Sequence, residues 1–297
     1  MAVIDRLKKK LVEIYLKIIN KLSRGRGYGK KYRIINSTVN KIETTLKSDT
    51  ADVWAGRMHL HPNDGLRLSI RGVHDIDNTE ILMNHVKKDQ IVIDLGAHIG
   101  YYTLMMAKLV GPNGKVFAFE PEPRNLELLQ KNISKNGYEN VIVVPKAVSN
   151  NEENCILYVG QESFGANKIF KPKKTNVQKF KEIKTQTIKL DNYFKENSFL
   201  EKISFLKMDI EGSEIKALEG MKKILESNQE LMIFTEINKD ALEDSGSDYK
   251  KMLKYLEGFN FRFYIQDKDD GLKNVKIDDI DELLEDDIMI NIFCKKV

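Results

Sequence analysis

Three carboxylates follow apolar runs in this sequence and could do chemistry. Asp209 and Glu211 come directly after the run Phe205–Met208 and stand before an expected helix, and Glu236 ends a second run. At the carboxyl end of buried strands, such acids can hold a positively charged ligand or accept a proton from an attacking hydroxyl. Alternatively, Asp209 or Glu211 caps free amides at the helix start. Three acids on one edge would repel one another unless a cation or substrate lies among them.

A glycine turn follows another apolar run, in the segment Val92–Thr103. Glycines let the backbone approach a ligand closely, and the start of the following helix favours an anionic group. A dinucleotide site would require Gly-x-Gly-x-x-Gly, but Ala97 and His98 replace the middle glycine. Asp94 at the strand end suits a ligand with an ammonium group and no phosphates. S-adenosylmethionine fits this description, because its carboxylate could meet the turn amides.

A further acid, Glu120, closes the apolar run Val116–Phe119, and it follows the glycine turn by about 20 residues, the spacing typical of a ribose-binding acid. A carboxylate at this strand end can accept both hydrogen bonds of a ribose diol. The alternative is an ordinary exposed acid at the end of a strand. Because the glycine turn precedes it, we favour the ribose interpretation.

Short apolar runs alternate with amphipathic segments from residue 91 onward, which predicts an α/β fold. We expect a doubly wound, mostly parallel seven-stranded sheet of the Rossmann-like type. The predicted strands are 91–95, 115–120, 141–144, 203–208, 230–237, 261–265 and 288–293. The predicted helices are 79–86, 101–110, 122–136, 214–225 and 248–257. Ligands of such sheets bind at the carboxyl ends of the strands, which places the three acidic motifs on one edge.

The chain is expected to have three parts: residues 1–33, residues 34–90 and the α/β domain over 91–297. Alternation at Leu66–Ile70 predicts a strand within the second part. The stretch 150–200 interrupts the regular order, and strand-like pieces occur there at 155–159 and 183–188. An insertion beside the strand ends is where substrate specificity is expected.

Residues 1–33 hold eleven basic and two acidic side chains, which leaves the rest of the chain with a net charge of −5. Apolar residues recur at spacings of three and four over 2–22, which predicts an amphipathic helical arm. Such a helix could dock on an anionic membrane surface, pair with a partner helix or pack on its own domain. Nucleic acid is the weakest alternative, because few aromatic residues lie among the basic ones.

The composition excludes several classes of protein. With 41% hydrophobic residues in 297, the chain can bury a large core, and it has neither a long apolar span nor a signal peptide pattern. Cys155 and Cys294 form neither a disulfide framework nor a metal motif, which predicts a cytoplasmic protein. Peripheral contact with the inner membrane face through the arm agrees with this prediction. The spacing of His59, His61 and His74 matches no metal motif, and no metal ligand is predicted.

Several of these motifs together resemble the FkbM family of class I methyltransferases, over roughly residues 75–240. The matching segments are Asp94–Thr103, Phe119–Pro121, Ala147–Ser149, Thr187–Asp191 and Lys207–Gly212. The last, with the pattern Lys-x-Asp-x-Glu-Gly, is the most specific of them. His98 departs from the family, in which asparagine is frequent, but its ring can still hydrogen-bond a ligand.

The resemblance implies an S-adenosylmethionine-dependent enzyme that methylates a hydroxyl of a sugar, glycolipid or polyketide-like acceptor. The cofactor-binding residues would be Asp94, Gly96, Ala97, His98, Gly100, Tyr101, Tyr102, Thr103, Glu120, Pro121, Ala147, Val148 and Asp209. Asp209 would be the first candidate for the base, followed by Glu211 and Glu236. The alternatives are an N-methyltransferase, a nucleic-acid methyltransferase and a non-catalytic module that binds the cofactor.

Overall fold

The computed structural model describes residues 47–160, 165–173, 180–267, 271–286 and 289–297. The predicted amphipathic helix and the basic arm at residues 1–33 lie outside the described residues. The chain divides into two compact units, Met1–His74 and Asp75–Val297, which are described separately below. None of the helices in the described ranges combines the length and apolar character needed to cross a bilayer.

The described part of the first unit is a β-hairpin followed by one helical turn. Its elements are β1 (Thr50–Val53), β2 (Gly56–His59) and α1 (Leu68–Arg71). The strand predicted at Leu66–Ile70 is therefore wrong. The Asp64 carboxylate accepts hydrogen bonds from the backbone N–H groups of Leu68 and Ser69, at 3.0 Å each. This local cap stabilises a helical turn despite the alternating sequence.

The second unit contains the strands and helices that position the site. Its strands are β3 (Ile91–Leu95), β4 (Lys115–Phe119), β5 (Val141–Val144), β6 (Ala147–Val148), β7 (Asn154–Gly160), β8 (Phe180–Ile188), β9 (Ile203–Met208), β10 (Met232–Asn238), β11 (Phe261–Asp267), β12 (Gly271–Val275) and β13 (Met289–Lys296). Its helices are α2 (Ile76–His85), α3 (Tyr101–Val110), α4 (Pro123–Asn136), α5 (Leu190–Glu196), α6 (Glu214–Glu219), α7 (Lys222–Ser227), α8 (Lys239–Asp244), α9 (Tyr249–Glu257) and α10 (Asp279–Asp286).

Among the described residues, the central sheet has eight strands in the order β12-β11-β13-β10-β9-β3-β4-β5. The five strands from β10 to β5 are parallel to their neighbours. Strand β13 runs antiparallel to both β10 and β11, and β12 is antiparallel to β11. The predicted mostly parallel α/β sheet is confirmed. It gains one strand over the predicted seven because β12, which has no continuous apolar run, pairs along the edge of β11.

The order of the central strands creates a topological switch point. From β3 the chain moves outward to β4 and β5, and it later returns to place β9 on the other side of β3. Crevices for ligands form at the carboxyl ends of strands where the winding direction reverses in this way. The loops after β3 and β9 therefore define the expected position of a site.

The segment predicted as one helix over 214–225 is two helices, α6 and α7. A Cβ at Gly220, between them, would lie 2.1 Å from the carbonyl oxygen of Ser149, so a glycine is needed for this close approach. The Asp191 carboxylate accepts hydrogen bonds from two backbone N–H groups in the first turn of α7. Asp191 belongs to the segment Thr187–Asp191, and this capping gives that part of the family pattern a structural role.

The insertion forms a small sheet of its own in the order β6-β8-β7. Both predicted strand-like pieces are confirmed as β7 and β8, which pair antiparallel. The described residues 165–173, here called the strap, run next to β7. Lys168 in the strap exchanges two backbone hydrogen bonds with Tyr158, at 2.8 and 3.0 Å.

Candidate active site at the switch point of the sheet

The loops after β3 and β9 are in direct backbone contact. Gly96 has a φ of +77°, and a Cβ there would lie 2.0 Å from the carbonyl oxygen of Asp209. The Asp209 N–H donates to the carbonyl of Leu95 at 3.2 Å, which fixes the same contact from the other side. The glycine turn and the acidic motif predicted from the sequence thus form one structure.

The amides of the glycine turn are used within the protein. The N–H groups of Gly96 and Ala97 donate to the carbonyl of Phe119 at 3.1 and 3.0 Å. The N–H of His98 donates to the Glu120 carboxylate at 2.8 Å. The sequence predicted that the amides of this turn bind the cofactor's carboxylate. In the structure these three amides bind groups of the protein and fix the shape of the turn.

Glu120 is buried at the end of β4, where a ribose-binding acid was predicted. One of its oxygens accepts from His98 N–H, and the other accepts from Glu122 N–H at 2.9 Å. Burial raises the pKa of Glu120 to about 7, although these two hydrogen bonds oppose the shift. Asn125 Nδ2 also donates to Oε1, at 3.4 Å, so Oε2 keeps a lone pair that could accept from one hydroxyl of a ribose.

Asp94 has no exposed surface, and its contacts are with the side chains of Thr103 and Lys207. Its Oδ2 accepts a hydrogen bond from the Thr103 hydroxyl at 2.6 Å, and its Oδ1 lies 3.7 Å from Lys207 Nζ. Burial raises the pKa of Asp94, while Lys207 and the Thr103 hydrogen bond act against the increase. These contacts support the site from within, and the predicted contact of Asp94 with the cofactor stays a prediction.

Lys207 connects these groups, and sequence reasoning did not assign it a role. It is 4% exposed, and its Nζ lies 3.4 Å from both Asp209 Oδ2 and the Gly96 carbonyl oxygen. The ammonium also faces the ring of Tyr102, 5.3 Å from its centroid. Burial alone would lower the pKa of Lys207, but the charges of Asp209 and Asp94 raise it. Its place in the family motif was the available signal.

The three predicted catalytic acids interact electrostatically. The side chain of Asp209 is 41% exposed, and Glu211 and Glu236 are half-buried. Burial, followed by the charges of Asp209 and Glu236, raises the pKa of Glu211 to about 8. Burial and then the charge of Asp209 raise the pKa of Glu236 to about 7. We call these three residues the acidic edge.

Glu214 is a further acid of the site that sequence reasoning missed. It is buried, and its Oε1 accepts from the backbone N–H groups of Ile210 and Gly212 at 3.2 Å each. The residue between them, Glu211, has a φ of +53°, a conformation unusual for glutamate. Burial raises the pKa of Glu214 to about 7. Glu214 therefore holds the loop that presents Glu211.

The remaining predicted cofactor residues occupy the turn and its surroundings. Gly100 has a φ of +95°, and a Cβ there would lie 2.7 Å from Leu129 Cδ1. Tyr101 is buried, and its hydroxyl lies 3.1 Å from the Thr79 hydroxyl. Pro121, half-buried, follows Glu120. Ala147 and Val148 are buried in β6, which belongs to the small sheet and not to the central one.

The strap is clamped to helix α8, which follows the strand of Glu236. Lys168 Nζ lies 2.9 Å from Asp244 Oδ2, and the Lys173 N–H donates to Asp244 Oδ1 at 2.7 Å. Phe170 lies against Gly212, where a Cβ would be 3.2 Å from the ring. The charge of Lys168 also acts on Glu211 and lowers its pKa. The strap thus lies next to the acidic edge.

The donor set fits S-adenosylmethionine. A partly exposed carboxylate, Asp209, stands at the close approach to Gly96 and suits a cationic ligand, and the Glu120 carboxylate contacts the same turn through the His98 N–H. Within the described ranges, no group of three or more His, Cys, Asp or Glu side chains is arranged to hold a metal ion.

The sheet order and the site at its switch point define an α/β domain of the class I methyltransferase type. The sequence model of the methyltransferase FkbM domain matches residues 94–263, more than half of the chain. The chain therefore belongs to the FkbM methyltransferase family. This membership confirms the predicted family and its cofactor, S-adenosylmethionine.

Individual relatives are distant. Methyltransferase 1 of Beauveria bassiana is 24% identical over 147 residues, which are 45% of this chain and 59% of the relative. A protein-L-isoaspartate O-methyltransferase of Caenorhabditis elegans is 39% identical over 70 residues, 22% of this chain and 31% of that protein. The chain thus spans less than two thirds of the length of these relatives. The crystal structure of methyltransferase FkbM from Methylobacillus flagellatus is 16% identical in sequence and matches with a TM-score of 0.42. The match covers 70% of this chain and 44% of that protein's chain.

Proposed function

We propose that the protein transfers a methyl group to a hydroxyl of a sugar, glycolipid or polyketide-like acceptor. When bound, S-adenosylmethionine supplies an electrophilic methyl group. The observation that carries the proposal is the acidic edge beside the contact between Gly96 and Asp209, because a hydroxyl must lose its proton as the new bond forms. Carboxylates whose pKa lies near neutrality are suited to receive that proton.

The three acids would have different roles. Lys207 holds the carboxylate of Asp209 at 3.4 Å, which suits Asp209 for orienting a cationic group. Glu211 and Glu236 have pKa values raised to about 8 and about 7, close to the working pH of a general base. We therefore assign proton removal to Glu211 or Glu236, and orientation of the reacting groups to Asp209.

The strap would contribute to acceptor recognition. Lys168 and Phe170 lie beside the acidic edge, where an acceptor must approach. The negative charge of this edge repels polyanions, which argues against a nucleic-acid acceptor. A neutral saccharide meets no such penalty, and aromatic rings such as that of Phe170 can pack on its apolar faces.

A glycolipid acceptor would agree with the basic arm predicted at residues 1–33. Eleven basic residues in that segment would be attracted to anionic lipid headgroups. Sedimentation with anionic and neutral vesicles would test this, with the chain lacking residues 1–33 as the control. Equal sedimentation of both chains would contradict the membrane proposal and leave the methyltransferase proposal intact.

The main test is transfer of label from methyl-labelled S-adenosylmethionine to panels of saccharides, glycolipids and polyketide-like alcohols. We expect label on an acceptor oxygen, and loss of turnover in Asp209→Asn and in Glu211→Gln/Glu236→Gln. Glu243→Gln, which changes an exposed acid on α8, is the matched control. No binding of millimolar cofactor in calorimetry would refute the proposal, and label on nitrogen would indicate an N-methyltransferase.

A further inference from the structure

We infer that Lys207 is a positioning residue for the cofactor, which acts by holding the Asp209 carboxylate against the turn after β3. This inference rests on the proposed function, since it assumes that S-adenosylmethionine binds at this edge. Lys207 does not have to touch the cofactor in this role. Its effect passes through the carboxylate that it holds.

One ammonium group contacts three structural elements. From β9, Lys207 Nζ reaches the Gly96 carbonyl oxygen after β3 and the Asp209 carboxylate after its own strand, both at 3.4 Å. The Tyr102 ring, in the first turn of α3, lies 5.3 Å away. Asp94 and Lys207 are paired in register on adjacent strands, so their side chains lie on the same face of the sheet. Lys207 therefore joins the two sides of the switch point.

The two carboxylates near Lys207 differ in exposure, and this difference separates their roles. Asp94 is fully buried and serves as a counter-ion, because a buried ammonium is costly unless it is paired. The Asp209 side chain is 41% exposed and can meet a ligand. Lys207 is thus shared between the buried Asp94 carboxylate at 3.7 Å and the Asp209 carboxylate at 3.4 Å, and the second contact restrains a carboxylate at the surface of the site.

Asp209 needs this restraint because its neighbours are acidic. Its negative charge raises the pKa values of Glu211, Glu214 and Glu236, so all three carboxyl groups are close enough to repel it. A side chain in such surroundings would turn toward water. The ammonium of Lys207 opposes that movement and keeps Asp209 beside Gly96.

Lys207→Met tests the inference, because methionine keeps much of the side-chain length and removes the charge. We expect the Kd for S-adenosylmethionine to rise about tenfold or more. Since the variant also leaves Asp94 buried and unpaired, its stability should fall. Two backgrounds separate the effects. Asp94→Asn removes the buried counter-ion, and Asp209→Asn removes the carboxylate that is held.

The two backgrounds should give opposite results. With Asp94→Asn, adding Lys207→Met should restore stability relative to Lys207→Met alone, and yet weaken cofactor binding about tenfold relative to Asp94→Asn. With Asp209→Asn, adding Lys207→Met should change the Kd by less than about twofold, because the carboxylate that it positions is gone. A purely structural lysine would not produce this pattern.

Lys296→Met is the matched control. Lys296 is half-buried at the end of β13, and its Nζ donates to the carbonyl oxygens of Leu225 and Glu226 at 2.5 and 3.0 Å. Its replacement should lower stability and leave the Kd for S-adenosylmethionine unchanged. Calorimetry measures binding, and urea unfolding with circular dichroism measures stability.

Wild-type affinity in Lys207→Met, or equal Kd values for Asp94→Asn with and without Lys207→Met, would overturn the inference. A further tenfold loss in the Asp209→Asn background would also overturn it, because Lys207 would then act by another route. Failure of the wild-type protein to bind the cofactor would instead refute the proposed function. If Lys207→Met alone does not fold, the Asp94→Asn background, which removes the buried unpaired charge, still decides the question.

Discussion

Gly96 and Asp209 meet at the main chain, so closely that a Cβ on Gly96 would lie 2.0 Å from the carbonyl oxygen of Asp209. Nothing in the sequence of either motif indicates that the two residues are in contact. They lie on the two sides of the switch point, and the short distance leaves no space for a side chain at residue 96. Glycine at position 96 is therefore needed for two reasons: the conformation of its own turn and the close approach of the Asp209 main chain.

Gly96→Ala should therefore disrupt both folding and cofactor binding. The φ of +77° is unfavourable for alanine, and the new Cβ would overlap the Asp209 carbonyl. We expect a loss of about 3 kcal/mol in the free energy of unfolding, measured in urea. Calorimetry should show no binding of S-adenosylmethionine by the folded fraction.

Gly137→Ala is the control for that variant. Gly137 has a φ of +68° at the end of α4, but a Cβ there meets nothing within 4 Å. We expect a loss of about 1 kcal/mol and unchanged cofactor binding. Equal effects of the two alanines would mean that backbone conformation alone, and not the contact with Asp209, makes Gly96 necessary.

Glu236→Gln should lower the pKa of Glu211. The negative charge of Glu236 is one of the causes that raise the pKa of Glu211 to about 8, and glutamine removes that charge. Carbon-13 NMR of the glutamate carboxyl groups would follow the titration without any acceptor. If Glu211 is the base, it must be ionised, so the rise of turnover with pH should also move to lower pH. An unchanged titration of Glu211 would contradict the described acidic edge, and Glu243→Gln is the control.

Glu214→Gln should reduce the dependence of stability on pH. Burial raises the pKa of Glu214 from 4.5 to about 7, so the unfolded chain releases this proton at lower pH than the folded one. Stability therefore falls as pH rises between these two values, by up to about 3 kcal/mol from this group. Glutamine keeps an acceptor oxygen for the loop and cannot ionise.

The free energy of unfolding in urea, compared at about pH 5 and about pH 8, measures this difference. We expect a smaller fall in Glu214→Gln than in the wild-type protein, since the other buried carboxyl groups still contribute. An equal fall in both proteins would show that Glu214 ionises normally in the folded state.

Asp244→Ala should release the strap and spare the cofactor site. The Asp244 carboxylate accepts from Lys168 Nζ and from the Lys173 N–H. Its loss should cost about 1 kcal/mol and speed amide hydrogen exchange in residues 165–173. Binding of S-adenosylmethionine should be unchanged, while the KM for an acceptor should rise.

Glu243→Ala provides the comparison for the strap. Lys173 Nζ donates to the carbonyl oxygen of Glu243, which a change of side chain leaves in place. Exchange in the strap should then match the wild-type protein. Slow exchange in Asp244→Ala would instead show that the pairing of Lys168 with Tyr158 holds the strap by itself.

The strands of the core could be predicted from the sequence because their apolar runs are continuous. Those predicted at Ile91–Leu95 and Ile203–Met208 have the same bounds in the structure. Both lie in the middle of a parallel sheet, where each face is covered and every position favours an apolar residue. Such a pattern needs no information from distant parts of the chain.

The errors lie where a local or distant contact decides the structure. Leu66–Ile70 alternates like a strand, but the Asp64 carboxylate caps a helical turn there. Strand β12, Gly-Leu-Lys-Asn-Val, has no continuous apolar run, and it pairs with β11 along the edge of the sheet. The break at Gly220 follows from its close approach to Ser149. None of these contacts can be predicted from the periodicity of apolar residues.

The site was predicted in part for a related reason. Acids at the ends of apolar strands could be placed on one edge, because parallel strands end together. The contact of Gly96 with Asp209 depends on β9 lying beside β3, which is a property of the sheet order. The position of Lys207 between the two loops, and the role of Glu214 in holding the loop after β9, also depend on the sheet order.

Lys207 Nζ and the Gly96 carbonyl are 111 residues apart along the chain. During synthesis, the glycine turn emerges long before β9 exists to complete it. A truncated chain that stops before β9 would lack the strand that pairs with β3 and the Asp209 carbonyl that contacts Gly96. Closing a loop of this length makes folding slow, and cofactor affinity should report completion of the fold. The cofactor, by binding only the finished domain, should also protect it against unfolding.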